Sequence, residues 1–303
     1  MTIAVTGATG FVGQTLLDVA AAQGVELRAL TRRPQTARAG VEWVRGDLAD
    51  RAALSRLVQG TTAVIHIAGL TTARDAAAFE AGNVAGTMAV VEAALAAGVP
   101  RLVHVSSLAA REPDLSLYGG SKARSERVVK ASGLDWTIVR PPAVYGPRDD
   151  AIFELFRSAR WGVVPVPSGG RTSMIHAEDL ARLLLALVPG GEDVTHRIFE
   201  PDDGRRGGWQ HDELARAIGW AVGRARIWVP GLSRRMLELA ARGDTLLRGQ
   251  KARLTLDRAG YMAHPNWVAG DQHRVPANLW APLIETRQGL RSTAEWYRRQ
   301  GWL

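Results

Sequence analysis

The chain has 303 residues, long enough for one large domain or two modest ones with a substantial core. It contains no cysteine, which excludes disulfides, thiolate metal ligands and thiol nucleophiles. Its net charge of +8 is C-terminal: residues 221–303 hold 14 basic and 6 acidic side chains, whereas residues 1–150 hold 16 and 14. No nucleic-acid motif accompanies the excess, so the expectation is a solvated basic surface, with an anionic partner or a membrane as the weaker alternative.

Residues 3–5 are a short apolar, β-branched run of the kind that becomes a buried parallel strand, and helical spacing begins at Val12. Between them stands Gly7-x-x-Gly10-x-x-Gly13. Gly7 permits the tight turn, Gly10 lets backbone N–H groups approach a pyrophosphate, and Gly13 lets the helix pack close to the sheet. The helix N-terminus then faces the phosphates. The turn predicts dinucleotide binding. Because Met1 leads directly into a core strand, no secretory signal is expected, and the location reads as cytoplasmic.

Short apolar runs then alternate with helical patterns, which predicts βαβ units. Strands are expected at 25–30, 41–44, 63–69, 102–107, 136–139 and 196–199. Helices are expected at 49–59, 83–97, 118–132 and 178–187. Gly98 and Pro100 supply the stop signal after the second of these helices. Beyond residue 142 the composition shifts toward Pro, Gly, Trp and Arg, with helical patterns at 152–160, 211–218, 232–248 and 289–300 and a short strand at 163–166. The fold class read from this order is α/β, a doubly wound parallel Rossmann sheet with a smaller C-terminal substrate lobe. Residues 1–142 and 175–200 are assigned to the sheet, and 143–174 and 201–303 to the lobe.

Only Lys122, Lys130 and Lys251 among the 38 basic residues are lysine, so each lysine position invites a chemical reason. Tyr118 and Lys122 lie four apart on a predicted helix and so share a face. A phenol titrates near pH ~10, and a nearby ammonium lowers that value. The phenol can then exchange a proton with a substrate oxygen. Ser106 and Ser107 end a strand at the sheet face where ligands bind, and one hydroxyl there can hold the reacting oxygen. Turn chemistry is the plainer role for such serines.

At the end of the second strand an acidic residue would bind the ribose 2′-OH of NAD, whereas arginine accommodates a 2′-phosphate. Here the segment is Thr31-Arg32-Arg33-Pro34, with no acid. Arginine grips a phosphate monoester bidentately. NADP(H) is therefore preferred, with NAD(H) as the alternative, and no metal is expected.

The chain resembles the extended or atypical short-chain dehydrogenase/reductase superfamily, nearly end to end. The resemblance rests on Thr6-Gly-Ala-Thr-Gly-Phe-Val-Gly13, Gly46-Asp-Leu48, Val64-Ile-His-Ile-Ala68, Asn83-Val-Ala-Gly-Thr87 and Val105-Ser-Ser107. It continues through Tyr118-Gly-Gly-Ser-Lys122, Arg140-Pro-Pro-Ala-Val-Tyr-Gly-Pro147 and Ile175-His-Ala-Glu-Asp179, and a closing helix near Gly289 to Trp302. It implies Tyr118 as proton donor or acceptor, Lys122 as its tuner and ribose contact, and Ser107 as the carbonyl-binding hydroxyl. It also implies Thr9, Gly10, Phe11, Val12 and Gly13 around the pyrophosphate, and Arg32 as the phosphate-binding arginine, with Arg33 beside it. Asp47 and Leu48 would bracket the adenine, with Ala68 and Gly69 against the ribose. The backbone after Pro141, toward Val144, would meet the nicotinamide. Asn83 either lines the site or caps a helix.

Within the resemblance the first expectation is an oxidoreductase acting on a small-molecule carbonyl or alcohol, as a monomer or homodimer. A nucleotide-sugar epimerase or dehydratase is the alternative, but Thr172-Ser173 stands where such enzymes usually carry Arg-Asp. A non-catalytic accessory subunit is the third, with the basic segment from Arg234 to Arg248 and its Met236, Leu237, Leu239, Leu246 and Leu247 as the candidate contact. Against it stands the intact Ser107, Tyr118 and Lys122 set.

Overall fold

The computed structural model describes residues 2–249, 252 and 254–303. Lys251 lies outside the described residues. The chain divides into two compact units. The first comprises the described residues up to Pro141 together with Glu178–Pro201 and Gln272–Ala281. The second comprises Pro142–Ala177, Asp202–Asp271 and Pro282–Leu303. Ile175 and His176 thus fall in the second unit, and the segment from Gln272 returns to the first.

The first unit runs β1 (Thr2–Thr6), α1 (Phe11–Ala22), β2 (Glu26–Thr31), β3 (Val41–Arg45), α2 (Arg51–Val58), β4 (Ala63–His66). It continues through α3 (Ala76–Phe79), α4 (Gly86–Ala96), β5 (Arg101–Val105), α5 (Leu117–Lys130) and β6 (Asp135–Val139). The helix Ala177–Ala186 and the strand Arg197–Phe199 complete it. Seven parallel strands form the sheet in the order Arg197–Phe199, β6, β5, β4, β1, β2, β3. This is the doubly wound Rossmann arrangement that the alternation predicts. The strand order reverses between β1 and β4, and ligands of such sheets bind outside the strand ends at that point. β4 and β5 are buried at every position, as the central strands of a sheet covered on both faces must be. Leu54, Leu57, Val90, Leu102 and Ile138 form the core on one face.

The start of the helix expected at residue 83 moves. The helix expected from residue 83 begins instead at Ala76, where Asp75 accepts a hydrogen bond from Ala78 N at 2.8 Å. It then passes through a π-helical stretch, Glu80–Ala85, before continuing as α4. Asn83 is therefore not a helix cap. Such π-stretches occur frequently at functional sites.

The second unit is built on Tyr145, Phe156, Trp209, Ile218, Leu290 and Tyr297. A parallel pair, Ala143–Tyr145 with Met174–His176, lies beside helices Phe153–Arg160, His211–Ala221 and Thr286–Arg299. The strand expected at 163–166 is reduced to Val166–Pro167, preceded by a single bridge between Val163 and Trp228. The helices Arg234–Arg248, capped by Ser233, and Leu256–Met262 pack on each other through Leu237, Ala241 and Ala259. Among the described residues no helix is long and apolar enough to cross a membrane.

Candidate active site

The turn after β1 brings its three glycines into close register. Gly7 has φ +79°, and a Cβ there would lie 2.6 Å from Ala68 N at the end of β4. A Cβ on Gly13 would sit 2.1 Å from the Gly7 carbonyl oxygen, so α1 can begin this close to the turn only with glycine. Gly10 N donates to Gly7 O at 3.1 Å, and Gly10 precedes the first turn of α1, which starts at Phe11 and Val12. Thr9 is exposed on the same turn.

Beside the end of β2 lies a basin of about 490 Å³ lined by Arg32, Arg45, Gly46, Asp47, Asp50 and Arg56. The sequence singled out Arg32 and Asp47 but missed Arg45 and Arg56, because nothing in the pattern tells that β3 and α2 aim those guanidinium groups at one place. Arg33 is exposed but is not among the lining residues, and the Thr31 hydroxyl is taken by the Arg33 carbonyl at 2.6 Å. Both carboxylates of the basin hold backbone: Asp47 Oδ1 accepts from Ala49 N and Asp50 N, and Asp50 Oδ1 from Ala53 N. Leu48 packs partly against the sheet core.

At the end of β5 the two serines separate in role. Ser106 Oγ donates to Glu126 Oε1 at 2.6 Å. The same carboxylate takes both Arg140 Nε and a terminal Arg140 nitrogen, at 2.8 and 2.7 Å. Burial pushes the Glu126 carboxyl up, but Arg140 and Ser106 outweigh it and hold it below the usual carboxylate range. Ser107 instead caps the 3₁₀ turn Leu108–Arg111, accepting from Ala109 N at 3.2 Å, and hydrogen-bonds the phenol of Tyr118. The turn role and the site geometry belong to one residue.

Tyr118 stands in the first turn of α5, capped by Ser116, which accepts from Gly119 N at 2.9 Å. That turn packs tightly on the 3₁₀ segment, since a Cβ on Gly119 would lie 2.7 Å from Ala109 O. The Tyr118-Gly-Gly stretch is thus what lets the phenol reach Ser107. One turn later Lys122 is buried, and its Nζ donates to Val105 O at 2.8 Å. Burial lowers the Lys122 ammonium to about 8, with the charge of Glu126 opposing the shift. The Tyr118 phenol is pushed up by burial, with the Ser107 hydrogen bond opposing. This corrects the expectation that the ammonium lowers the phenol: Lys122 is held by the strand end, and desolvation dominates.

Asn83 ties the loop after β4 to this helix. Its Oδ1 accepts from Leu70 N at 2.6 Å, and its Nδ2 donates to Leu70 O at 3.0 Å and Ser121 Oγ at 2.8 Å. Gly69 lies beside Lys122, and a Cβ there would sit 3.1 Å from Asn83 Oδ1 and 3.6 Å from Lys122 Nζ. Ala68 N donates to Thr6 Oγ1 at 3.3 Å.

Two histidines missed as site neighbours lie in the sheet interior. His66 and His104 stack at 5.2 Å between centroids. Burial first, then the Lys122 charge, lowers His66 to about 3 and His104 well below its ordinary value. The Thr87 hydroxyl donates to Asn83 O at 2.6 Å, so it must accept from His66 Nε2 at 3.0 Å. His66 Nδ1 then accepts from Thr6 Oγ1 at 2.6 Å. Pro141 O accepts from Leu108 N at 3.0 Å. Val144 belongs to the second unit, within Ala143–Tyr145.

A parallel doubly wound sheet with this glycine turn is that of an NAD(P)-binding enzyme of the short-chain dehydrogenase/reductase type. The chain belongs to the NAD(P)H-binding family, whose sequence model matches residues 7–189. It is similar to a ceramide reductase of Caulobacter vibrioides, 38% identical over 316 residues, spanning 99% of this chain and 96% of that protein. It is also similar to sterol demethylase protein B of Methylococcus capsulatus, 30% identical with 99% of both chains covered. Among solved structures, MoeE5 in complex with UDP-glucose and NAD superposes with a TM-score of 0.76 at 24% identity over 99% of both chains, a likeness of fold.

Proposed function

We propose that this chain reduces a ketone to an alcohol with NADPH, on a substrate that carries a long apolar portion. The observation that carries the reaction type is the hydrogen-bonded Ser107–Tyr118 pair next to buried Lys122 at the end of β5. When bound, the reduced nicotinamide supplies a hydride to the carbonyl carbon. Ser107 Oγ holds the carbonyl oxygen. The Tyr118 hydroxyl transfers its proton to that oxygen as negative charge develops on it. The Ser107 hydrogen bond favours the phenolate left behind, and the Lys122 ammonium, fixed through Val105 O, would hold the cofactor ribose. One hydride and one proton convert C=O to CH–OH.

The preference for NADPH rests on Arg32, with Arg45 and Arg56 around the same basin. The two carboxylates there accept from backbone N–H groups and Arg56 donates to Arg45 O at 3.4 Å, so the guanidinium of Arg32, beside that of Arg45, would meet a 2′-phosphate. The apolar substrate rests on the relatives that span nearly the whole chain, whose names refer to a ceramide and a sterol. Incubation with NADPH and a panel of long-chain ketones, short ketones and nucleotide sugars tests the reading. NADPH should be consumed with the long-chain ketones, and the matching alcohol should form. Conversion of a nucleotide sugar without net loss of NADPH would overturn it.

A further inference from the structure

The helix Arg234–Arg248 carries two apolar stripes, and the second unit uses one of them. Leu237 and Ala241 are buried against Ala259. On other faces stand Met236, Leu239, Leu246 and Leu247, with 49%, 66%, 89% and 86% of their surface exposed. At 100° per residue, Leu239 and Leu246 lie almost opposite the buried pair, and Met236 and Leu247 lie together to one side of them. Arg235 and Arg242 fall on the other flank, and both are exposed. Arg234 and Arg248 instead pair within the helix, with Glu238 at 2.9 Å and Asp244 at 3.2 Å. Scattered surface leucines need no explanation, but four large apolar side chains aligned on one short helix do.

We infer that this outer face of Arg234–Arg248 docks the protein on an anionic lipid surface. A helix whose exposed leucines are flanked by arginine is the pattern of peptides that lie in the headgroup plane, with apolar side chains inserted and guanidinium groups among the phosphates. Charge decides between a bilayer and an uncharged partner: the helix stands in a C-terminal segment holding 14 basic and 6 acidic side chains. The strand pairing that delivers the chain to this helix, Gly231–Leu232 with Val166–Pro167, is preceded by Trp228, 68% exposed, and bridged there to the segment after Trp161, 76% exposed. Exposed indole rings favour the membrane interface. Surface docking stands apart from the ketone reading, because it needs no turnover to observe.

Co-sedimentation of the full chain with phosphatidylcholine vesicles, with and without phosphatidylglycerol, tests the inference. Binding should need the anionic lipid and fall steeply in about 0.5 M salt, where the screening length shrinks to a few ångströms. The double variant Leu246→Ser/Leu247→Ser should lose roughly tenfold or more in partitioning, and Arg235→Glu/Arg242→Glu should lose a comparable factor. All four side chains are exposed, so thermal unfolding of each variant should match the parent. No binding to phosphatidylglycerol vesicles at low salt overturns the inference. So does binding that the two variants leave unchanged. A dimer in sedimentation velocity that Leu246→Ser/Leu247→Ser dissociates, without vesicle binding by the parent, would assign the face to a second copy of the chain instead.

Discussion

Lys122 Nζ lies 2.8 Å from the carbonyl oxygen of Val105, so the buried ammonium of α5 is fastened to the last residue of β5. Its distance to the strand end is set by backbone, not by a flexible partner. Ser107, two residues beyond Val105, hydrogen-bonds the phenol one helical turn before Lys122. Strand and helix thus hold the three groups as one assembly.

The pH dependence follows from the sign of two shifts. Reduction needs the phenol protonated and the ammonium charged. Tyr118 is raised and keeps its proton, whereas Lys122 is lowered to about 8. kcat/KM for ketone reduction should therefore fall as pH rises through about 8. Tyr118→Phe should abolish turnover and leave NADPH affinity nearly unchanged. Lys122→Arg should be severely impaired, with a residual rate that stays flat where the parent falls. A pH–rate series on the three proteins checks this.

Arg32→Ala should weaken NADPH binding about ten- to a hundredfold and leave NADH within about twofold, because a charged hydrogen bond contributes roughly 1.5–3 kcal/mol. Fluorescence titration of both nucleotides measures the difference. Native protein that prefers NADH would contradict the role given to the basin.

His66 titrates near 3 in the folded chain against an ordinary 6.5, so it is buried neutral. Unfolding lets it bind a proton. Its contribution is fully present above about pH 6.5 and is lost as pH falls toward 3, by about 1.4 kcal/mol per pH unit. His104 adds to the same slope. Urea unfolding between pH 7 and 5 should show the decline, and His66→Gln should flatten it by about one proton's worth even if its absolute stability is lower.

Glu126→Gln should cost about 2–3 kcal/mol, because the half-buried Arg140 loses its charged bidentate partner and keeps only Glu200 at 3.5 Å. Glu80→Gln removes a pair of similar length, Arg124 with Glu80 at 2.8 Å, in which both side chains are well exposed. It should cost about 1 kcal/mol or less. Chemical denaturation at pH 7 compares the two.

The sheet was legible in the chain because parallel strands buried on both faces must be continuous apolar runs, and helices between them must be periodic. Those constraints are local. The glycine turn and the Tyr118–Lys122 spacing were legible for the same reason: each is a demand of one turn of backbone. The start of the helix before Asn83 was not, since a π-helical stretch keeps no simple period and Asp75 lies far ahead of the apolar pattern.

Other features were decided only when the chain folded. Ser106 and Ser107 are neighbours of one type, yet the strand pleat sends the first to Glu126 and the second to Tyr118. Arg45 and Arg56 join Arg32 because β2, β3 and α2 converge there, a meeting no spacing encodes. The Tyr118 shift likewise runs opposite to the lowering expected from the sequence, and the Lys122 shift follows from its burial. Helical spacing sets which groups are near one another, but burial depth sets the desolvation, which outweighs the Ser107 hydrogen bond at Tyr118 and the Glu126 charge at Lys122, and depth is a property of the whole packed unit.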